Sequence, residues 1–233
     1  MKIDLDPNVV YDASQSDAAA LTAVLCACYP TMARIAIAIS GDTARGLLLV
    51  KDLVGKSLTA APKWQDESAP GRWFMHHTIL NIRQHPVVCK TDPLLQYAAG
   101  KELPYTAFLR ALRKLPPQQI EAFILHHGEQ LDERQLAVAM DCSTTAAANH
   151  LSVAEQTLKT VASEGFGERL EEFKKAYENL SPDADQVQQY ISARVRNYIV
   201  PIKTVRWVKR IVVSAVIVAI GYGAWRAFVY MSS

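Results

Sequence analysis

Glycine-rich phosphate loops, nucleophile elbows and carboxylate dyads at a working spacing are all missing from these 233 residues. With them go the usual sequence footholds of phosphoryl transfer, acyl transfer and glycoside hydrolysis, so an enzyme is not expected. Cysteine is scarce. Cys26, Cys28, Cys89 and Cys142 are scattered, and Cys26 and Cys28 on one helix point about 200° apart, which rules out a joint metal site or a disulfide between them. Strand-like alternation never persists, and neither an internal repeat nor a low-complexity tract is present. The opening "MKIDLDPNVVYD" carries no apolar run behind its lysine, so no secretory signal is expected.

Hydrophobic residues make up 50% of the chain, enough to bury one or two sizeable cores and to exclude disorder. They concentrate in "IVVSAVIVAIGYGAW" (Ile211 to Trp225), which continues through Arg226 into "AFVYM". As a helix, about 21 such residues cover roughly the thickness of a bilayer's hydrocarbon core. Trp207, Trp225 and Tyr230 stand near its ends, and Lys203, Arg206, Lys209 and Arg210 precede it with no acid among them. Aromatic belts and positive flanks of this kind predict a single C-terminal transmembrane helix, in contact with membrane lipid, that leaves the N-terminal bulk in the cytoplasm. Localisation to a bacterial inner membrane follows once the resemblance below is granted. Without Lys203, Arg206, Lys209, Arg210 and Arg226 the rest of the chain holds three more acids than bases, so the net positive charge does not mark a nucleic-acid surface.

Helix starts and stops recur along the remainder. Ser16 is a plausible cap for a helix ending at Pro30, "TMARIAIAI" continues to Gly41, and "DTARGLLLVKDLVGKSLTAA" opens on Asp42 and halts at Pro62. "PGRWFMHHTILNIRQH" starts with Pro70 in its first turn. Prolines break the connector that follows, so a boundary falls there. Beyond it come "YTAFLRALRKL", a helix opened by Pro116 and Pro117 and closed by Gly128, then "DERQLAVAM", a break at "DCS", and "TTAAANHLSVAEQTLKT". "ERLEEFKKAYENL" mixes both charge signs, and Ser181 with Pro182 opens a last helix; these two read as a spacer. The expected fold class is all-α, in five segments: a helical domain over 1–90, a linker over 91–104, a second helical domain over 105–163, a helical spacer over 164–206 and a transmembrane helix over 207–231.

Asp141, Cys142 and Ser143 form a turn of the length that joins the two helices of a DNA-reading helix-turn-helix. Leu136, Ala137 and Met140 share one face of the first helix, and Ala147, Leu151, Ala154 and Leu158 share one face of the second. Ser143 is placed to cap the second helix, and Asp141 is a residue type that tolerates positive φ. The stretch "FLRALRKLPPQQIEAFILHHGEQLDERQLAVAMDCSTTAAANHL" resembles region 4 of bacterial RNA polymerase sigma factors of the extracytoplasmic-function group, with Leu115-Pro116, Leu125, Leu136-Ala137 and Cys142-Ser143 as matching positions. More diffusely, "YPTMARIAIAISGDTARGLLLVKDLVGKSL" with "WFMHHTILNIR" is similar to region 2. The resemblance implies core RNA polymerase and promoter DNA as partners, with an inhibitory anti-sigma-like protein as a further one. It also implies polymerase contacts at Leu49, Lys51 and Asp52, and no cofactor. The chain departs from the family's pattern where acids usually stand (Leu47, Leu48), at Ile120 in place of arginine, and along the reading helix at Ala147, Asn149 and Ser152, where bases are usual.

Thr144, Thr145, Asn149, His150 and Ser152 are the candidate base readers, since asparagine bonds adenine's edge bidentately and threonine offers a hydroxyl and a methyl group. Charge speaks for the alternative, a membrane-anchored helical interaction protein that has lost promoter binding. Residues 105–163 hold five basic side chains against six acidic ones, and phosphate neutralisation supplies most non-specific DNA affinity. His76-His77 and His126-His127 invite a metal, but neighbours on a helix diverge by about 100° and cannot ligate one ion together. No metal is expected. Trp73, Phe74, Met75 and Ile79 fit a core stripe better than a surface for bases.

Overall fold

The computed structural model describes residues 5–85, 92–98, 103–200 and 213–214, and among these all regular structure is helical. Asp17 caps α2 (Ala18–Ser40) by accepting from the Ala20 amide at 2.9 Å, one residue after the expected Ser16, which itself takes a positive φ of 66°. The helix runs straight through Pro30. A proline inside a helix removes one hydrogen bond and crowds the preceding turn; burial of Leu21, Val24, Leu25, Cys28, Met32, Ile35 and Ala36 along one broad face offsets that cost. Around α2 pack α1 (Pro7–Ser14), α3 (Thr43–Ala60) and α4 (Ala69–Gln84). Asp42 caps α3 as expected (Arg45 amide to Oδ1, 2.8 Å). Gly46 lets α3 press on α2, since a Cβ there would lie 2.7 Å from the Ile37 backbone.

α2 also corrects the expected architecture. The sequence places the long apolar helix at the C-terminus, whereas among the described residues the one helix long and apolar enough to cross a membrane is Ala18–Ser40, with a mean hydropathy of 1.6, near the N-terminus. Most of it is buried inside the protein, and a helix covered over most of its surface by its own chain becomes apolar for packing reasons alone. The expected transmembrane segment over 207–231 lies outside the described residues, apart from helical, exposed Val213 and Ser214.

Downstream, the short α5 (Pro93–Tyr97) leads to α6 (Leu103–Lys114), α7 (Pro117–Glu129), α8 (Glu133–Met140), α9 (Thr144–Ala162) and α10 (Phe166–Glu178). The core around α2 reaches into this half through Ala122, Leu125, Leu136, Ala137, Met140, Ala147 and Leu151. A second cluster, with Tyr105, Phe108, Phe123, Ala154, Leu158, Phe173 and Tyr177, fills the space among α6, α7, α9 and α10. Gly128 is not the helix stop expected of it. α7 passes through it to Glu129, and Gln130 takes the left-handed cap at φ 55°. Tyr177 packs where a Gly128 side chain would be, its Cζ 2.8 Å from an ideal Cβ.

The two helices expected as a spacer are packed instead. Phe173, Ala176 and Tyr177 of α10 are buried, and residues 184–200 form a helix whose cap is Asp183 rather than Ser181 (Gln186 amide to Oδ1, 2.9 Å). Val187, Ile191, Val195 and Ile199, a stripe with a period of four, join the core beside α2 and α3.

Candidate nucleic-acid interface

Each part of the α8–α9 turn follows from its residues. Asp132 and Gln135 form a reciprocal capping box at the start of α8 (2.8 and 3.2 Å). Asp141 ends the helix in the left-handed conformation (φ 54°, ψ 53°), and the Cys142 amide donates to the Ala137 carbonyl at 3.1 Å. Ser143 then caps α9, its hydroxyl oxygen accepting from the Ala146 amide at 3.1 Å. Ala147, Leu151, Ala154 and Leu158 are the buried face of α9, as their spacing predicts, packed against α6, α7 and α8.

That packing sets the orientation of the candidate readers. Thr144, Thr145, Asn149 and Ser152 are exposed, and His150 is half-buried. At about 100° per residue, Thr145, Asn149 and Ser152 fall within roughly 60° of one another, while Thr144 and His150 lie to either side. Gln156, which sequence reasoning left out, continues the same exposed stripe; its spacing of seven from Asn149 was the available signal. Lys159, the one full positive charge on α9, is already engaged. Its Nζ bonds Glu155 at 2.9 Å and lies 5.2 Å from the centre of the Phe166 ring.

The expected polymerase contacts divide. Lys51 and Asp52 are exposed, whereas Leu49 is buried, its carbonyl accepting from Asn81 Nδ2 at 3.1 Å. Leu49 turns inward with Val50, Leu53 and Val54, and Leu48, one residue earlier, is the exposed leucine at 67%. The 184–200 helix partly covers this face. Tyr190 donates its hydroxyl to the Lys51 carbonyl (3.3 Å), and its ring lies 5.5 Å from Lys51 Nζ. Phe74, Met75 and Ile79 are core residues; Trp73 is half-buried and stacks on His77 with ring centres 4.1 Å apart.

Histidine and carboxylate do converge at one point, by a route that local spacing could not reveal. Glu155 of α9 meets His126 and His127 of α7, with candidate ligand atoms all within 4.8 Å of one another. As arranged, the cluster is a structural link. His127 Nε2 bonds Glu155 at 3.0 Å, His126 Nδ1 bonds the Leu131 carbonyl at 2.8 Å, and Lys159 takes the other Glu155 oxygen. Burial, helped by the neighbouring His126, outweighs the pull of Glu155 and lowers the His127 pKa to about 4. Burial works against the Glu155 carboxylate too, yet the Lys159 hydrogen bond and the His127 charge leave its pKa below the ordinary value.

Residues 105–158 match the family model for Sigma-70, region 4, under a quarter of the chain. The matched segment covers nearly all of α6 to α9 and ends just short of the α9 terminus. No curated protein and no solved structure matches. The chain thus carries a segment of the kind that sigma-like transcription factors use on DNA, which is not a catalytic family.

Proposed function

We propose that this chain is a sigma-like transcription initiation factor, which joins core RNA polymerase and sets α9 in the major groove of promoter DNA. The carrying observation is that the Sigma-70 region 4 match coincides with a helix-turn-helix whose stripe of Thr145, Asn149 and Ser152 stands clear of both cores. Asn149 reads an adenine edge, Thr145 and Ser152 supply hydroxyl contacts, and Thr144 and His150 flank them. Lys51 and Asp52 are the surface offered to polymerase. Because polymerase delivers a sigma factor to DNA, modest intrinsic affinity is enough.

One observation favours a second reading, a helical interaction protein without promoter binding. The helix-turn-helix half has fewer bases than acids, and Lys159 is turned to Glu155. Incubating the full chain with core polymerase and a promoter library separates the two. Co-elution with core and specific transcripts are the expected outcome; a chain that neither co-elutes nor directs initiation is the interaction protein.

A further inference from the structure

The α9 helix is poor in positive charge, and the fold brings charge to it from elsewhere in the chain. Between α4 and the α8–α9 turn runs an open groove of about 1040 Å³. Lys63, Arg72, Trp73 and His76 line it from the N-terminal half, and Arg134 and Thr144 from the helix-turn-helix. Thr144 is the first residue of α9, so the groove reaches the N-terminal end of the helix that bears the reading stripe. Lys63 and Arg134 are exposed, as is Arg72, which is braced by Asp66 at 2.8 Å. Asp141 is the one acid in the lining. Trp64, at 5% exposure, lines the same groove with its indole Nε1 buried and unpartnered.

We infer that this groove is the phosphate-binding part of a composite DNA surface. Lys63 and Arg134 hold the duplex backbone beside the bases that α9 reads, while Arg72, paired with Asp66, lines the same groove. The inference rests on the proposed function and deepens it, because Lys63 from the α3–α4 connection and Arg134 of α8 supply neutralisation that α9 lacks. The occupant is a duplex backbone and not a small anion, since the groove is open and continuous with the N-terminus of a 19-residue helix bearing the candidate readers.

Salt dependence tests it. The full chain is titrated with a random-sequence duplex across a range of salt concentrations, beside Lys63→Gln, Arg134→Gln, the triple variant that adds Arg72→Gln, and Lys175→Gln, an exposed residue of α10, as control. Each phosphate contact removed should flatten the slope of log K against log salt by about 0.9, and weaken binding roughly fivefold to tenfold near 0.1 M salt. The control should follow the wild type. Lys63→Gln alone touches only an exposed side chain, so it still decides the matter if the triple variant is misfolded by circular dichroism. Slopes unchanged in variants whose selected-site binding still depends on Asn149 overturn the composite surface and leave the reading by α9 standing. A wild-type chain that binds no duplex overturns the composite surface, and the proposed function is then decided by the assay with core polymerase.

Discussion

Asp141 and His127 are the two residues whose local chemistry most constrains the helix-turn-helix. Asp141 holds φ 54°, a conformation that costs a β-branched residue about 1–2 kcal/mol. Asp141→Val should therefore lower the stability of the chain by about that amount in urea denaturation, while Asp141→Gly stays within about 1 kcal/mol of wild type. His127 is kept neutral by burial, with its pKa lowered from 6.5 to about 4. Between those values the unfolded chain binds the proton that the folded chain refuses, so stability is full above pH 6.5 and declines as the pH falls toward 4. The His127 contribution to that decline is at most about 3 kcal/mol. A His127→Gln variant should show a correspondingly flatter stability profile over this window; an unchanged profile assigns the decline to other groups.

Among the elements, what was legible in the sequence was what depends on neighbours in the chain. Asp42 and Ser143 cap the helices they precede, and Ala147, Leu151, Ala154 and Leu158 form one buried face because their spacing puts them on one side. The departures are decided by residues distant in sequence. Pro30 stays inside α2 because the residues before and after it pack against the surrounding helices, and Gly128 is a seat for Tyr177 rather than a stop. Asp183 displaces Ser181 as a cap, a shift of two residues that propensity alone cannot resolve. Leu49 and Leu48 show the same limit at the candidate site, since only the packing of α3 decides which leucine turns inward. Glu155 reaching His127 is likewise a tertiary fact. Ala154, fully buried between α9 and its neighbours, gives a test at this scale. Ala154→Leu should cost about 1–3 kcal/mol through overpacking, whereas Gln156→Leu on the exposed stripe should leave the thermal midpoint nearly unchanged.

Across the whole molecule two arginine–carboxylate pairs and one arginine–carbonyl bond join the helices that precede residue 86 to those that follow residue 91. Arg34 Nη2 meets Glu129 at 2.8 Å, Arg83 Nε meets Glu121 at 3.0 Å, and Arg113 bonds both Asp92 and the Ala38 carbonyl at 2.6 Å. Glu121 is 2% exposed, so removing its partner leaves a buried charge uncompensated. Arg83→Met should cost about 3 kcal/mol, and adding Glu121→Leu should recover most of it. Equal losses in the single and double variants would show that the pair is not coupled. These links fix α4 beside the α8–α9 turn, which is what places Lys63 and Arg72 next to Thr144. Reading of DNA by α9 underlies the proposed function, and the most direct measurement is selection of duplexes from a random pool by the full chain in complex with core polymerase, followed by titration of the enriched sequence with wild type and Asn149→Ala. Enrichment of a defined site, bound about 5- to 100-fold more weakly by the variant with an unchanged salt slope, is the predicted result. A pool that stays random after selection, or an Asn149→Ala variant that binds the enriched site as well as wild type, contradicts it.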